Sequence, residues 1–289
     1  MSKGKLITAM LIFGTIGVFV RFIPFPSPVL AFCRGSVGAL FLLAAAYLTR
    51  NKPDWGAIRR NLVLLVISGA AIGINWILLF EAYRYTTVAT ATVCYYLSPV
   101  LVMALSPLVL KEKLTLRKVL CIFGALVGML FVSGVFGGQT GKSDSTGILL
   151  GCGAAVFYAS VVLMNKFLRD IPPTESTFVQ LASAAAVVLP YGILVGDFTK
   201  AVAHVSVTAV ILTAVVALIH TGLAYRLYFD SITGLTGQTI ALCSYMDPAC
   251  AIVLSMTLLA EPMNLLSLFG AVLILGCTMI GELSGPRKK

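Results

Sequence analysis

The chain has 289 residues, of which 59% are hydrophobic and 11% charged, with 21 Lys and Arg against 11 Asp and Glu for a net charge of +10. An ordinary soluble domain carries about a quarter charged residues, so that class is excluded. The apolar residues fall in runs of about 20, the length that crosses roughly 30 Å of hydrocarbon as a helix.

Ten spanning helices are expected, over about residues 6–22, 28–49, 61–81, 88–110, 115–136, 146–167, 174–195, 206–228, 236–259 and 264–283. Leu6 to Phe22 has a basic flank in Lys3 and Lys5 but no small-residue cleavage site before Pro24-Phe25-Pro26, so it reads as the first span and not as a signal peptide. The connections are short and marked by Pro and Gly, as in FPSP, RDIPP and AEPMN. With the N-terminus in the cytoplasm, sixteen Lys and Arg lie on the inner side and four, Arg21, Arg84, Lys142 and Lys200, on the outer, with Arg34 inside a helix. This positive-inside bias puts both termini in the cytoplasm of a bacterial-type plasma (inner) membrane. The net charge is thus an orientation signal, and no nucleic-acid partner is expected. Gly69-x-x-x-Gly73, Gly124-x-x-x-Gly128 and Gly147-x-x-x-Gly151 suit close helix approach.

The fourth and ninth spans repeat one another. At an offset of 149, Thr87, Thr90, Cys94, Tyr96, Pro99, Ser106, Leu110 and Glu112 recur as Thr236, Thr239, Cys243, Tyr245, Pro248, Ser255, Leu259 and Glu261. Five spans per copy is an odd number, so the second copy enters the membrane from the opposite side. The expected fold is an all-α polytopic membrane protein of ten transmembrane helices in two inverted five-helix repeats. The first covers 1–137 and the second 146–283, with an extracytoplasmic linker at 138–145 and a basic cytoplasmic tail at 284–289. Inverted repeats place a substrate site near the midplane between the halves.

Pro99 and Pro248 fall mid-span, where proline removes a donor and kinks a helix; they are candidates for helix kinking and gating, or for packing alone. The carbonyls that they free, near Tyr95 and Ser244, need partners. The aromatic residues follow the repeat: Trp76 answers to Tyr225, Phe80 to Phe229 and Tyr96 to Tyr245, and Tyr158 adds a ring on the sixth span. Such rings suit an amphipathic ligand or a cation, although each also fits an interfacial belt. Tyr83, Tyr85 and Tyr228, near span ends, are assigned to the belt. Asp247 lies mid-span before Pro248, where an acid is a functional candidate by default; it suits a substrate amine or a proton, or caps the carbonyls freed by the kink. His220 and Arg34 are further candidates for a proton or ion-pair role. His220 equally suits neutral packing, and Arg34 suits snorkelling or pairing with Asp247 or Glu81. Asn75 is a candidate cavity donor. The candidate substrate-binding set is therefore Asn75, Trp76, Tyr96, Tyr158, Tyr225, Tyr245 and Asp247. Glu81 with Arg84, and Arg226 with Asp230, have helical pairing distances, and Glu112 and Glu261 are expected to organise the turns after their helices.

The seven cysteines form no CxxC and there are two histidines, so no metal site, disulfide framework or cofactor is expected. There is no nucleotide-binding loop and no catalytic constellation, and an enzyme is not expected.

With AYRYTTVATATVCYYLSPVLVMALSPLVLKEKLTLRK in one half and LIHTGLAYRLYFDSITGLTGQTIALCSYMDPACAIVLSMTLLAE in the other, the chain resembles the EamA family of the drug/metabolite transporter superfamily over nearly its whole length. Arg34 in AFCRGSVGAL matches an Arg often seen in that family's second helix, and an acidic residue is frequent where Asp247 stands. Two departures are Phe13, where the family usually has Trp, and Pro262 after Glu261. The resemblance implies ten helices, an inverted repeat and transport of small organic molecules, often amino-acid or metabolite export. The expected function is secondary transport of an amino acid or amine-bearing compound by alternating access through a central aromatic-lined cavity, with H+ as a candidate partner. The second reading is a membrane metabolite receptor or structural subunit that does not translocate.

Overall fold

A computed structural model describes all residues except 1, 50–52, 112–114, 133–141, 204, 233–234, 236–239, 241–242, 262 and 284–289. Among the described residues there are helices and no strand. In chain order these are α1 (Ser2–Phe22), α2 (Ser27–Leu48), α3 (Trp55–Tyr85), α4 (Val88–Tyr95), α5 (Ser98–Val109), α6 (Leu116–Val132), α7 (Lys142–Asn165), α8 (Pro173–Leu194), α9 (Asp197–Ala203), α10 (Val207–Val215), a π-helical stretch Val216–Leu223, α11 (Ala224–Ile232), α12 (Met246–Thr257) and α13 (Leu265–Leu283). Among the described residues seven helical segments are long and apolar enough to cross a membrane, with Val88–Val109 counted as one, and Met246–Thr257 and Leu265–Gly281 are shorter apolar helices. Side chains such as Val63, Leu116, Leu149, Val207 and Leu265 are exposed, as a surface in hydrocarbon requires and water would not tolerate.

Several boundaries differ from expectation for local reasons. The third helix starts six residues early because Asp54 caps it, its carboxylate accepting from the N–H groups of Gly56 and Ala57 at 2.9 and 3.0 Å. The expected loop after Val195 contains the short helix α9. The fourth span is not one kinked helix but two, separated at Tyr96 and Leu97, and Pro99 sits in the first turn of α5, where its missing N–H costs nothing. Tyr245, the repeat counterpart of Tyr96, likewise stands at the start of α12 with φ −73° and ψ −8°. Glu112, Thr236, Thr239, Pro262, the tail 284–289 and residues 138–141 of the linker lie outside the described residues, and α7 begins within the rest of the linker.

The small-residue motifs set the closest approaches. A methyl added at Gly69 would come 2.5 Å from the Gln180 carbonyl on α8, one at Gly128 2.8 Å from the Gly270 carbonyl on α13, and one at Gly147 2.6 Å from the Thr86 side chain. Gly14 and Gly17 let α1 lie across both broken helices, against the Asp247 carbonyl and the Val88 side chain. In this packing α3 lies along α7 and α8, α1 along α11 and α12, α2 along α8 and the π-helical stretch, and α6 along α13.

At the end of α12 the Glu261 N–H donates to the Ser255 carbonyl at 3.0 Å, and Ala260 takes a left-handed φ of 51°, the conformation in which helices commonly end. Lys111, 149 residues earlier, has φ 56°. A side chain in this region costs about 1 kcal/mol relative to Gly. Ala260→Gly is therefore expected to stabilise the protein by about 1 kcal/mol, a rise in Tm of roughly 2–4 °C in detergent. An unchanged or lower Tm would contradict the turn.

Candidate functional site

A cavity of about 430 Å³ opens between helices of both halves. Its walls come from α1 (Met10 to Gly17), α2 (Arg34), α3 (Ile72 to Tyr83), α4 and α5 (Thr92 to Met103), α7 (Tyr158, Val162), α11 (Tyr225, Tyr228) and the region of α12 (Ser244 to Ala251). The helix breaks explain why so many side chains reach it. A continuous helix turns successive side chains about 100° apart, whereas the break at Tyr96 lets Tyr95 and Tyr96 both border the same space.

Every candidate of the substrate-binding set borders this cavity: Asn75, Trp76, Tyr96, Tyr158, Tyr225, Tyr245 and Asp247. Their rings form a chain, with centroids 5.3 Å apart for Tyr95–Tyr158, 5.9 Å for Tyr95–Tyr96 and 6.5 Å for Tyr96–Tyr245, distances at which aromatic pairs attract. Phe13 stands 5.3 Å from Tyr225, which stacks on Phe229. The Asn75 amide donates to the Ala154 carbonyl at 2.6 Å and so ties α3 to α7 as well as facing the cavity.

The central polar contact joins the α4–α5 break to the start of α12. The Tyr96 hydroxyl donates to Asp247 Oδ2 at 2.9 Å and stands 3.4 Å from the Ser244 carbonyl. That carbonyl is the one that Pro248 leaves without a helical donor, so a residue at the α4–α5 break serves the chain just before α12. Asp247 thus holds a tyrosine partner, while its other oxygen has no protein hydrogen bond among the described residues. Pro99 borders the cavity; Pro248 is buried and does not.

Arg34 is buried and does not snorkel, and among the described residues no acid pairs with it. It is 6% exposed, donates from Nε to Thr221 Oγ1 at 2.8 Å, and places its guanidinium carbon 4.2 Å from the centre of the Trp76 ring. The π-helical stretch carries Thr221, and the absence of a side chain at Gly38 leaves room for its methyl group. Glu81 instead accepts from Ser27 Oγ at 2.7 Å and lies 3.7 Å from Arg84. His220 does not border the cavity. It is 2% exposed, lies 2.8 Å from Thr15 Oγ1, and packs its ring on Phe19. Tyr83 and Tyr228, assigned to an interfacial belt, border the cavity. Span-end position misplaced them, because the cavity extends along α3 and α11 toward those ends.

One helical turn beyond Gly17, a second network closes around Glu261. Its Oε2 accepts from the Val88 N–H at 2.9 Å and from Ser255 Oγ at 2.5 Å, and Oε1 lies 3.0 Å from Arg21 Nη2. Arg21 also donates to the Tyr83 carbonyl. The expected turn-organising role of Glu261 is met, and the carboxylate further joins α12 to the start of α4 and the end of α1. Arg226 and Lys5 both pair with Asp230, at 3.1 and 3.4 Å.

Apolar helices of spanning length around a ligand-sized cavity with a few convergent polar groups define a multi-pass membrane protein with a small-molecule site. The model of the EamA-like transporter family matches residues 5–134 and 145–280, and the chain belongs to that family, within the drug/metabolite transporter superfamily. It is 32% identical to an uncharacterized transporter of Bacillus subtilis, YxxF, over 93% of this chain and 86% of that one. It is 24% identical to an uncharacterized transporter of Archaeoglobus fulgidus over 96% and 95%, and 25% identical to protein PecM of Dickeya dadantii over 95% and 91%. A solved crystal structure of a protein 18% identical shares the fold, with a TM-score of 0.66 over 98% of this chain and 96% of its own. These likenesses point to a membrane transporter of small molecules and away from an enzyme.

Proposed function

We propose that the protein is a secondary transporter of a small organic metabolite, an amino acid or amine-bearing compound, which works by alternating access. Ten helices in two inverted repeats, 1–137 and 146–283, rock around the cavity, with both termini in the cytoplasm. The observation that carries this reading is the Tyr96–Asp247 hydrogen bond, a polar bridge between repeat-related helix breaks inside a cavity lined by both halves. The two separate family matches support the duplication. So does the packing: α3 against α7 and α8 is answered by α11 against α1 and by the π-helical stretch against α2, while α6–α13 and α2–α8 each pair a helix with its own counterpart.

Asp247 receives the amine, the tyrosine rings cover the apolar part, and H+ is the proposed coupling partner. Purified protein in proteoliposomes is expected to catalyse saturable flux of at least one labelled amino acid or amine. Binding without flux would instead identify the non-translocating receptor. Single cysteines placed near the two termini are expected to react with impermeant maleimide only from the cytoplasmic side; labelling on opposite sides would overturn the inverted repeat.

A further inference from the structure

We propose that Arg34 is the binding residue for an anionic group, a carboxylate, on the transported molecule. The inference rests on the transport reading above and narrows it: the ligand carries an acid in addition to the group that meets Asp247, so simple amines, polyamines and quaternary amines are not substrates.

Arg34 is 94% buried by its 6% exposure, yet it borders the cavity. A guanidinium carries five N–H donors. One, on Nε, is used by Thr221 Oγ1, a neutral acceptor whose own proton goes to the Val216 carbonyl at 3.2 Å. Trp76 covers one face at 4.2 Å and Phe80 lies 5.8 Å away. Among the described residues neither Nη has a hydrogen-bond acceptor, and no carboxylate lies within ion-pair distance of Arg34. Glu81 is engaged with Ser27 and Arg84, and Asp247 with Tyr96.

Burying a cation is unfavourable even after relaxation. A desolvated cation–π contact and one hydrogen bond from a charged donor offset only part of that cost. What remains uncompensated is the charge itself and the pair of Nη groups that presents a fork matched to a carboxylate. Thr221 on one side and Trp76 on the other fix the plane of that fork. This is the arrangement of a site whose counter-ion arrives with the ligand. With Asp247 on the same cavity, opposite charges receive the two ends of a zwitterion.

The test uses the full-length protein in detergent and proteoliposomes, with matched pairs of a carboxylate and its decarboxylated amine: L-tryptophan and tryptamine, L-lysine and cadaverine, L-valine and isobutylamine. The expected result is that a carboxylate member raises the Tm and is transported while its amine partner is not. Arg34→Gln weakens that ligand about 10- to 100-fold, and Arg34→Lys, which keeps the charge and loses the fork, weakens it less. A ligand-free arm removes dependence on the panel. An unpaired cation predicts that Arg34→Gln without ligand melts at or above the wild-type temperature, whereas a structural arginine predicts a fall of several degrees. That fall, a response to amines alone, or a carboxylate response untouched by Arg34→Gln overturns the proposal. Flux of amines that Arg34→Gln leaves unaltered would refute the anion subsite and spare the transporter; carboxylate binding without flux would do the reverse.

Discussion

Replacing Asp247 by Asn is expected to reduce substrate flux about 10- to 100-fold while the protein stays folded. The side chain faces the cavity and one of its oxygens is held by the Tyr96 hydroxyl at 2.9 Å. An amide of the same shape still accepts from Tyr96, so packing and that hydrogen bond persist. The lost quantity is the negative charge, and a hydrogen bond to a charged group contributes about 1.5–3 kcal/mol, which sets the range. Tyr96→Phe removes the hydroxyl that orients the carboxyl and leaves the Ser244 carbonyl without its neighbour. Its effect and that of Asp247→Asn should not add, with a coupling of about 0.5–3 kcal/mol in a double-mutant cycle. Initial flux rates across a concentration series measure both. If Asp247 only caps the broken helix, Asp247→Asn will transport normally and Asp247→Ala will lower the Tm.

The second large effect is on stability. Glu261→Ala is expected to destabilise the protein by about 2–4 kcal/mol, a fall in Tm of roughly 2–4 °C for each kcal/mol. The Val88 N–H and the Ser255 hydroxyl lose their acceptor and Arg21 its counter-ion, and a buried polar group left unsatisfied costs about 1–3 kcal/mol. The Glu261 side chain is 9% exposed and that of Arg21 37%, so the two ends of the pair are unequal. Arg21→Ala should cost less than Glu261→Ala, because the arginine's charge is partly screened. Glu261→Gln should fall between, since its amide oxygen still serves Val88. Equal losses for the two alanine variants would mean that the ion pair, and not the capped α4 terminus, holds this end together.

Much of the architecture was legible in the chain. Run length and the scarcity of charge marked apolar helices, seven of them long enough to span among the described residues, because a backbone in hydrocarbon must satisfy its own hydrogen bonds, which leaves the helix as the only local solution. The repeat marked Tyr96, Tyr245, Pro99 and Pro248 as equivalent, and the left-handed residues Lys111 and Ala260 keep the same spacing. The helix breaks were less legible: proline in the interior predicts a kink, but whether it becomes the first turn of a new helix depends on where the preceding helix stops. Tyr95 borders the cavity beside Tyr96 for that reason, which no helical period predicts.

The sequence by itself determined the class and the self-similarity at an offset of 149, since each follows from hydropathy or from comparison along one chain. Only the tertiary structure decided partners. Arg34 had Asp247 and Glu81 as candidate acids; it lies against Trp76 and Thr221 instead. Asp247 takes Tyr96, His220 takes Thr15, and Glu261 reaches Val88, 173 residues away. Pairings of this kind depend on how helices rotate about their axes and how closely glycines let them approach, and neither quantity is written in the period of any single helix.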